Sequence, residues 1–128
     1  GKGQHKLPPI KTEYENRLII ISEENQAWLE QKLNGKIVET PGHTSDSISL
    51  LLNNGCLFCG DAAMNGFPSK HNITIWAEDS AAFLQSWQKI IALRPAEVFP
   101  GHGKPFDVKC LGRNVKYVEN MKLYALKP

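Results

Sequence analysis

Apolar positions in this chain fall into short runs separated by polar, turn-forming stretches, and their spacing predicts a series of alternating elements. Residues 1–15 are polar, carry Pro8-Pro9 and lack a period; they read as an extended lead-in, with His5 a solvated tail residue. Arg17 to Ser22 is a β-branched run that predicts a buried strand. Ser22, with Glu23 and Glu24 behind it, predicts a helix start. That helix would bury Trp28, Leu29 and Leu33 and stop at Asn34-Gly35. Lys36 to Glu39 predicts another strand. Ser47 to Leu52 and Gly55 to Gly60 predict a hairpin, because Asn53-Asn54-Gly55 supplies the positive-φ residues a reversal needs.

Residues 61–78 lack either period and are rich in Gly, Pro, Asn and Ser, which predicts a long loop with a functional role. Phe67, His71 and Trp76 are expected to line a pocket there. Asp79 or Ser80 caps the strongest helix, which runs to about Leu93 with Phe83, Leu84, Trp87, Ile90 and Ile91 on one apolar face. Pro95 ends it. Glu97 to Phe99 predicts a short strand, and Val108 to Leu123 a last amphipathic helix that Gly112 weakens. The order β-α-β, hairpin, α-β-α predicts an α/β fold, a β-sheet with helices on one face.

Composition narrows the class without naming a function. A length of 128 residues suits a single domain with its own core. The net charge of +2 gives no reason to invoke nucleic acid or an anionic membrane. No apolar run approaches the roughly 18 residues of a spanning helix, and the N-terminal lysines have no apolar stretch behind them. A cytoplasmic location is the default expectation. The three cysteines are an odd set without scaffold spacing, which fits free thiols in a reducing compartment. Cys56 and Cys59 form a CxxC, but three residues apart on a strand they face opposite ways. Buried thiols are therefore expected in place of redox or zinc chemistry.

Candidate chemistry sits at strand-to-loop junctions. His43 follows the Pro41-Gly42 turn, Asp61 ends the second hairpin strand, and His102 lies between glycines that permit close backbone approach. Two imidazoles and a carboxylate suit Zn²⁺, and also Mn²⁺ or Fe²⁺. Spacing alone leaves the plain readings open: Asp61 as a turn residue, His102 as an ordinary loop residue.

The surrounding residues add to this. TPGHTSDSISL, LFCGDAAMN and VFPGHGKPF closely resemble, in order, three motifs of the metallo-β-lactamase superfamily, across about Lys36 to Phe106. The resemblance implies one half of an αββα sandwich, with residues 16–128 as the C-terminal half. It implies that His43 binds a first metal, Asp61 bridges two and His102 binds the second, with Ser45, Asp46 and Ser47 bracing the turn around them. His71 and Lys104 are candidates for contacting an anionic substrate. The family's HxHxDH motif has no counterpart here, since only His5 precedes His43.

The expected activity is accordingly a metal-dependent hydrolase that activates water with two zinc ions in a complete site, and one or none in this chain alone. Its substrate would be a small-molecule ester, thioester, amide or phosphodiester. The individual catalytic residues stay unassigned. The chain is expected to be a fragment or a natural half-domain, associating with itself or with an N-terminal half-domain. The alternative is a catalytically inert half-domain or assembly module with a partial or empty metal site.

Overall fold

A computed structural model describes residues 18–120. The expected lead-in at residues 1–15, Arg17 and the end of the last helix at Leu123 lie outside the described residues. Among those described, the order is α1 (Gln26–Leu33), β1 (Gly35–Glu39), β2 (Ile48–Leu52), β3 (Cys56–Gly60), α2 (Ser80–Leu93), β4 (Glu97–Pro100) and α3 (Lys109–Glu119). The strands form one mixed sheet in the order β1-β2-β3-β4. β1 to β3 run antiparallel, and β4 joins β3 in parallel after the α2 crossover.

The hairpin forms as the sequence predicts: Leu50 pairs Phe58, Leu51 pairs Leu57, and Gly55 turns the chain at φ 94°. α2 also matches its prediction. Asp79 is extended and its carboxylate accepts the Ala82 N–H at 3.0 Å, the expected N-cap bond. Phe83, Trp87 and Ile90 are buried against Leu57, Cys59 and Val98 of the sheet and Leu111 and Val118 of α3. The Trp87 indole N–H, which burial would otherwise leave unpaired, donates to the Ala62 carbonyl at 2.8 Å. α2 and α3 thus cover one sheet face.

The beginning of the described chain departs from expectation. Leu18 to Ile21 form no strand and are 43–86% exposed. No ladder partner is present among the described residues; instead Asn25 organises the segment locally, its amide donating to the Ile20 carbonyl and its oxygen accepting the Ser22 N–H. Ser22 is therefore not the helix cap, and α1 starts later, after Asn25. Trp28 and Leu33 are also not buried: they are 49% and 46% exposed, and α1 has no buried residue. α1 packs along β1, where the Glu30 carboxylate accepts the Ile37 N–H at 2.8 Å. It shields a strand edge more than it fills a core. Its stop is as expected, with Asn34 in the left-handed region at φ 53°.

Candidate metal centre

β3 and β4 are parallel, so their carboxyl ends lie side by side, the usual place for a site in such sheets. Asp61 follows β3 and His102 follows β4. Between Phe58 and Gly60, β3 carries one residue more than β4, and Gly60 adopts φ 53°. A bulge of this kind re-aims the chain at a strand end. It delivers Asp61 outside the ladder, while Gly101 N–H stays tied to the Gly60 carbonyl at 2.8 Å. The loop carrying His102 is closed at its far side by Phe106, which exchanges two backbone hydrogen bonds with Val98 at 2.8 and 2.9 Å.

His43 is placed from the other direction. Gly42, at φ 142°, lets the turn pack directly on α2; a Cβ there would meet the Phe83 Cα at 2.5 Å. Asp79 and Glu78 then donate their backbone N–H groups to the carbonyls of Gly42 and His43 at 3.0 and 3.1 Å. The Glu78 carboxylate accepts the Ser45 N–H at 3.0 Å, and the Thr44 and Ser47 hydroxyls are 2.6 Å apart. The start of α2 therefore fixes the histidine turn.

These supports bring His43, Asp61 and His102 together. His43 Nε2 lies 3.3 Å from Asp61 Oδ2, and His102 Nδ1 lies 2.7 Å from Asp61 Oδ1. His43 Nδ1 is 2.7 Å from the Trp76 carbonyl and 3.3 Å from the Thr74 hydroxyl. A carbonyl only accepts, so this contact assigns the proton to Nδ1 in the neutral ring. Nε2 then presents a lone pair to a carboxylate oxygen. Two acceptors at that distance call for a positive charge between them, a proton or a cation. This donor set fits a divalent metal, and the Trp76 carbonyl is placed where outer groups orient metal-binding imidazoles. Among the described residues, however, no group of three or more His, Cys, Asp or Glu side chains is already arranged to hold an ion.

The three side chains open into a cavity of about 310 Å³ whose remaining wall includes Met64, Pro68, Ile75 and Trp76. The Trp76 ring stands edge-on to His43, with centroids 4.8 Å apart. Phe67, expected in the pocket, is instead fully exposed, because the 66–69 turn carries it outward. His71 is stacked on Tyr117 with centroids 3.7 Å apart and lines a neighbouring cavity of about 390 Å³. Lys104 is exposed, and its carbonyl accepts from the Asn65 amide at 2.8 Å. Asp46 is exposed beside Ser45 and Ser47 in a separate groove with Ile37 and Ile48. Sequence reasoning missed Thr74, Glu78 and Asn65. Asp79 was readable as a helix cap, but Glu78, read as the end of the loop, was not readable as a brace for a turn more than thirty residues earlier.

Cys56 and Cys59 are free, half-buried and buried respectively. Burial pushes the Cys59 thiol up to about 11, away from the low value a redox cysteine needs.

Comparison with known proteins gives this geometry a context. No protein-family model matches the chain. It is 37% identical over 83 residues to the "Beta-lactamase-like protein 2 homolog" of Drosophila melanogaster, a stretch covering 65% of this chain and 26% of that protein. Among solved structures, a metallo-β-lactamase from Erythrobacter litoralis superposes with a TM-score of 0.59 at 24% identity, covering 79% of this chain and 44% of that one. A protein crystallised in a di-iron-bound form matches with a TM-score of 0.51 at 23% identity, over 63% of this chain and 41% of its own. The shared architecture is the metallo-β-lactamase fold over part of its extent. Over about two thirds of its length the chain is thus similar to beta-lactamase-like proteins, and its fold is similar to that of metallo-β-lactamases. It spans about a quarter of the length of the curated relatives it matches.

Proposed function

We propose that this chain supplies His43, Asp61 and His102 to the dinuclear metal centre of a hydrolase. The convergence of two imidazole nitrogens on the two oxygens of one carboxylate supports this reading. Asp61 would bridge the two ions, His43 would hold one and His102 the other. Zinc is the first candidate; iron is a second, since a structural neighbour is described in a di-iron-bound form. A divalent ion bound there supplies Lewis-acid polarisation and activation of water near neutral pH. The chain's own residues hold and orient. Trp76 and Thr74 fix the His43 ring, the β3 bulge aims Asp61, and the apolar wall keeps bulk water from part of the cavity. The ligands beyond these three would come from polypeptide carrying the HxHxDH motif. The substrate class is a small ester, thioester, amide or phosphodiester, with His71 and Lys104 as candidate contacts to its anionic part.

The absence of a ready-made ion cage among the described residues favours a second reading, an inert half-domain or assembly module with a partial or empty site. Metal analysis of the purified chain, alongside a hydrolase panel, separates the two. Two equivalents of metal with turnover support the enzyme; no metal and no turnover support the inert module. Asp61→Ala removes the one group both imidazoles share. It is expected to abolish metal uptake, and unchanged stoichiometry would overturn the assignment.

A further inference from the structure

His102 is the least enclosed of the three candidate ligands, with 66% of its side chain exposed. Its own contact with Asp61 is a single hydrogen bond, so its position depends on what holds its loop. Asn65 holds that loop twice. Its backbone N–H donates to the His102 carbonyl at 3.1 Å, and its side-chain amide donates to the Lys104 carbonyl at 2.8 Å. Gly103 lies between these anchors at φ 100°, and a Cβ there would collide with the Asn65 carbonyl. Loop and asparagine are thus in direct backbone contact.

Asn65 is itself braced. Asn72 donates from its amide to the Met64 carbonyl at 3.1 Å and lies 3.4 Å from Asn65 Oδ1. Met64 N–H returns a bond to the Asn72 carbonyl at 3.0 Å, and Asn114 of α3 donates to Asn72 Oδ1 at 2.9 Å. Asn72 takes this place at φ 63°, in the left-handed region that asparagine tolerates better than most residues. Asp61 and Asn65 share one loop, so the clamp ties the His102 loop to the segment that carries the bridging carboxylate.

We propose that Asn65 is a positioning residue for His102, holding the second histidine in register with Asp61 so that both can serve one metal centre. This rests on the metal-centre reading. The test uses the full chain and zinc, with affinity measured against a competing chelator. Asn65→Ala is expected to weaken zinc binding about tenfold, as loss of an outer support commonly does. Its thermal unfolding should stay close to wild type. Asn65→Gln, which keeps an amide donor, should recover part of the affinity. Asn114→Ala, which cuts the same network two side chains away from the His102 loop, should weaken zinc binding clearly less than Asn65→Ala does.

An unchanged zinc affinity in Asn65→Ala overturns the proposal, as does an equal loss in Asn114→Ala. A wild-type chain that takes no zinc defeats the metal-centre reading instead. Amide exchange then decides the clamp. The residue-65 N–H, protected by the His102 carbonyl, should exchange about fivefold faster in Asn65→Ala, the effect of losing one hydrogen bond's worth of support. An unchanged exchange rate removes the clamp as well.

Discussion

Both faces of the sheet carry large apolar side chains, and they meet different fates. On one, Leu57 and Val98 are fully buried beneath Trp87, Phe83 and Leu111. On the other, Phe58 is 44% exposed and stacks on Phe99 with centroids 4.9 Å apart, in a paired row with Leu50 and Ile37. β2 makes the contrast sharpest. Its Ser49 is buried, bonded to the Thr40 hydroxyl at 2.7 Å, while Leu50 and Leu52 sit on the open side. A sheet face selected to meet water carries polar residues in alternation. This one carries apolar residues of the kind found in an interior.

The largest expected effect tests whether the covered face carries the stability. Trp87→Ala removes a fully buried indole and its hydrogen bond, and should cost about 3–5 kcal/mol in denaturant unfolding. Phe58→Ala, an aromatic truncation on the open face, should cost less than about 1 kcal/mol in the isolated chain. Equal losses from the two substitutions would erase the distinction between the faces.

A smaller effect comes from pH. Cys59 lies on the covered face, and its thiol is raised to about 11 because burial disfavours the thiolate. The folded state therefore keeps a proton that the unfolded chain releases from about pH 9.0. The associated stability is fully present below pH 9.0 and lost as pH rises towards 11, about 3 kcal/mol in all. Comparing unfolding free energies of wild type and Cys59→Ala across that window isolates it. Parallel pH profiles for the two proteins would show that Cys59 ionises freely in the fold.

How much of this was legible follows from the same contrast. Where local chemistry and tertiary packing agree, the sequence was readable: Asp79 caps α2, Gly55 turns the hairpin, and Phe83, Trp87 and Ile90 form the buried stripe. Where they disagree, it was not. Leu18 to Ile21 have strand composition but bond to no strand among the described residues, and composition alone does not show whether a ladder partner stands beside a run. Trp28 and Leu33 are apolar at helical spacing, yet α1 meets only the edge of β1. At the site, turn and strand-end positions made His43, Asp61 and His102 candidates, but spacing left plain readings open, and it was the resemblance of the surrounding motifs that grouped them as metal ligands. Asn65 and Glu78 act across the fold on residues far away in sequence, and nothing local announces them. For the CxxC, strand alternation separated the two thiols as expected, but only Cys59 is buried; Cys56, expected to be buried as well, is half-buried because it lies on the less covered face with Phe58.

The smallest expected change in stability carries the most direct test of the open face. We propose that this face associates, with a second copy of the chain when nothing else is present and with an N-terminal half-domain where one is available. The Phe58–Phe99 stack is the natural centre of such a contact, being apolar, aromatic and flat. Sedimentation equilibrium of the wild-type chain should show mass rising with concentration. Phe58→Lys with Phe99→Lys should return it to a monomer while leaving unfolding of the isolated chain almost unchanged, because neither ring lies in the α2–α3 core. Buried lysines cost so much that even a modest contact over these positions fails. A wild-type chain that stays monomeric at the highest concentrations attainable would mean that the interior character of this face is satisfied some other way, and the comparison between the two faces would lose its functional meaning.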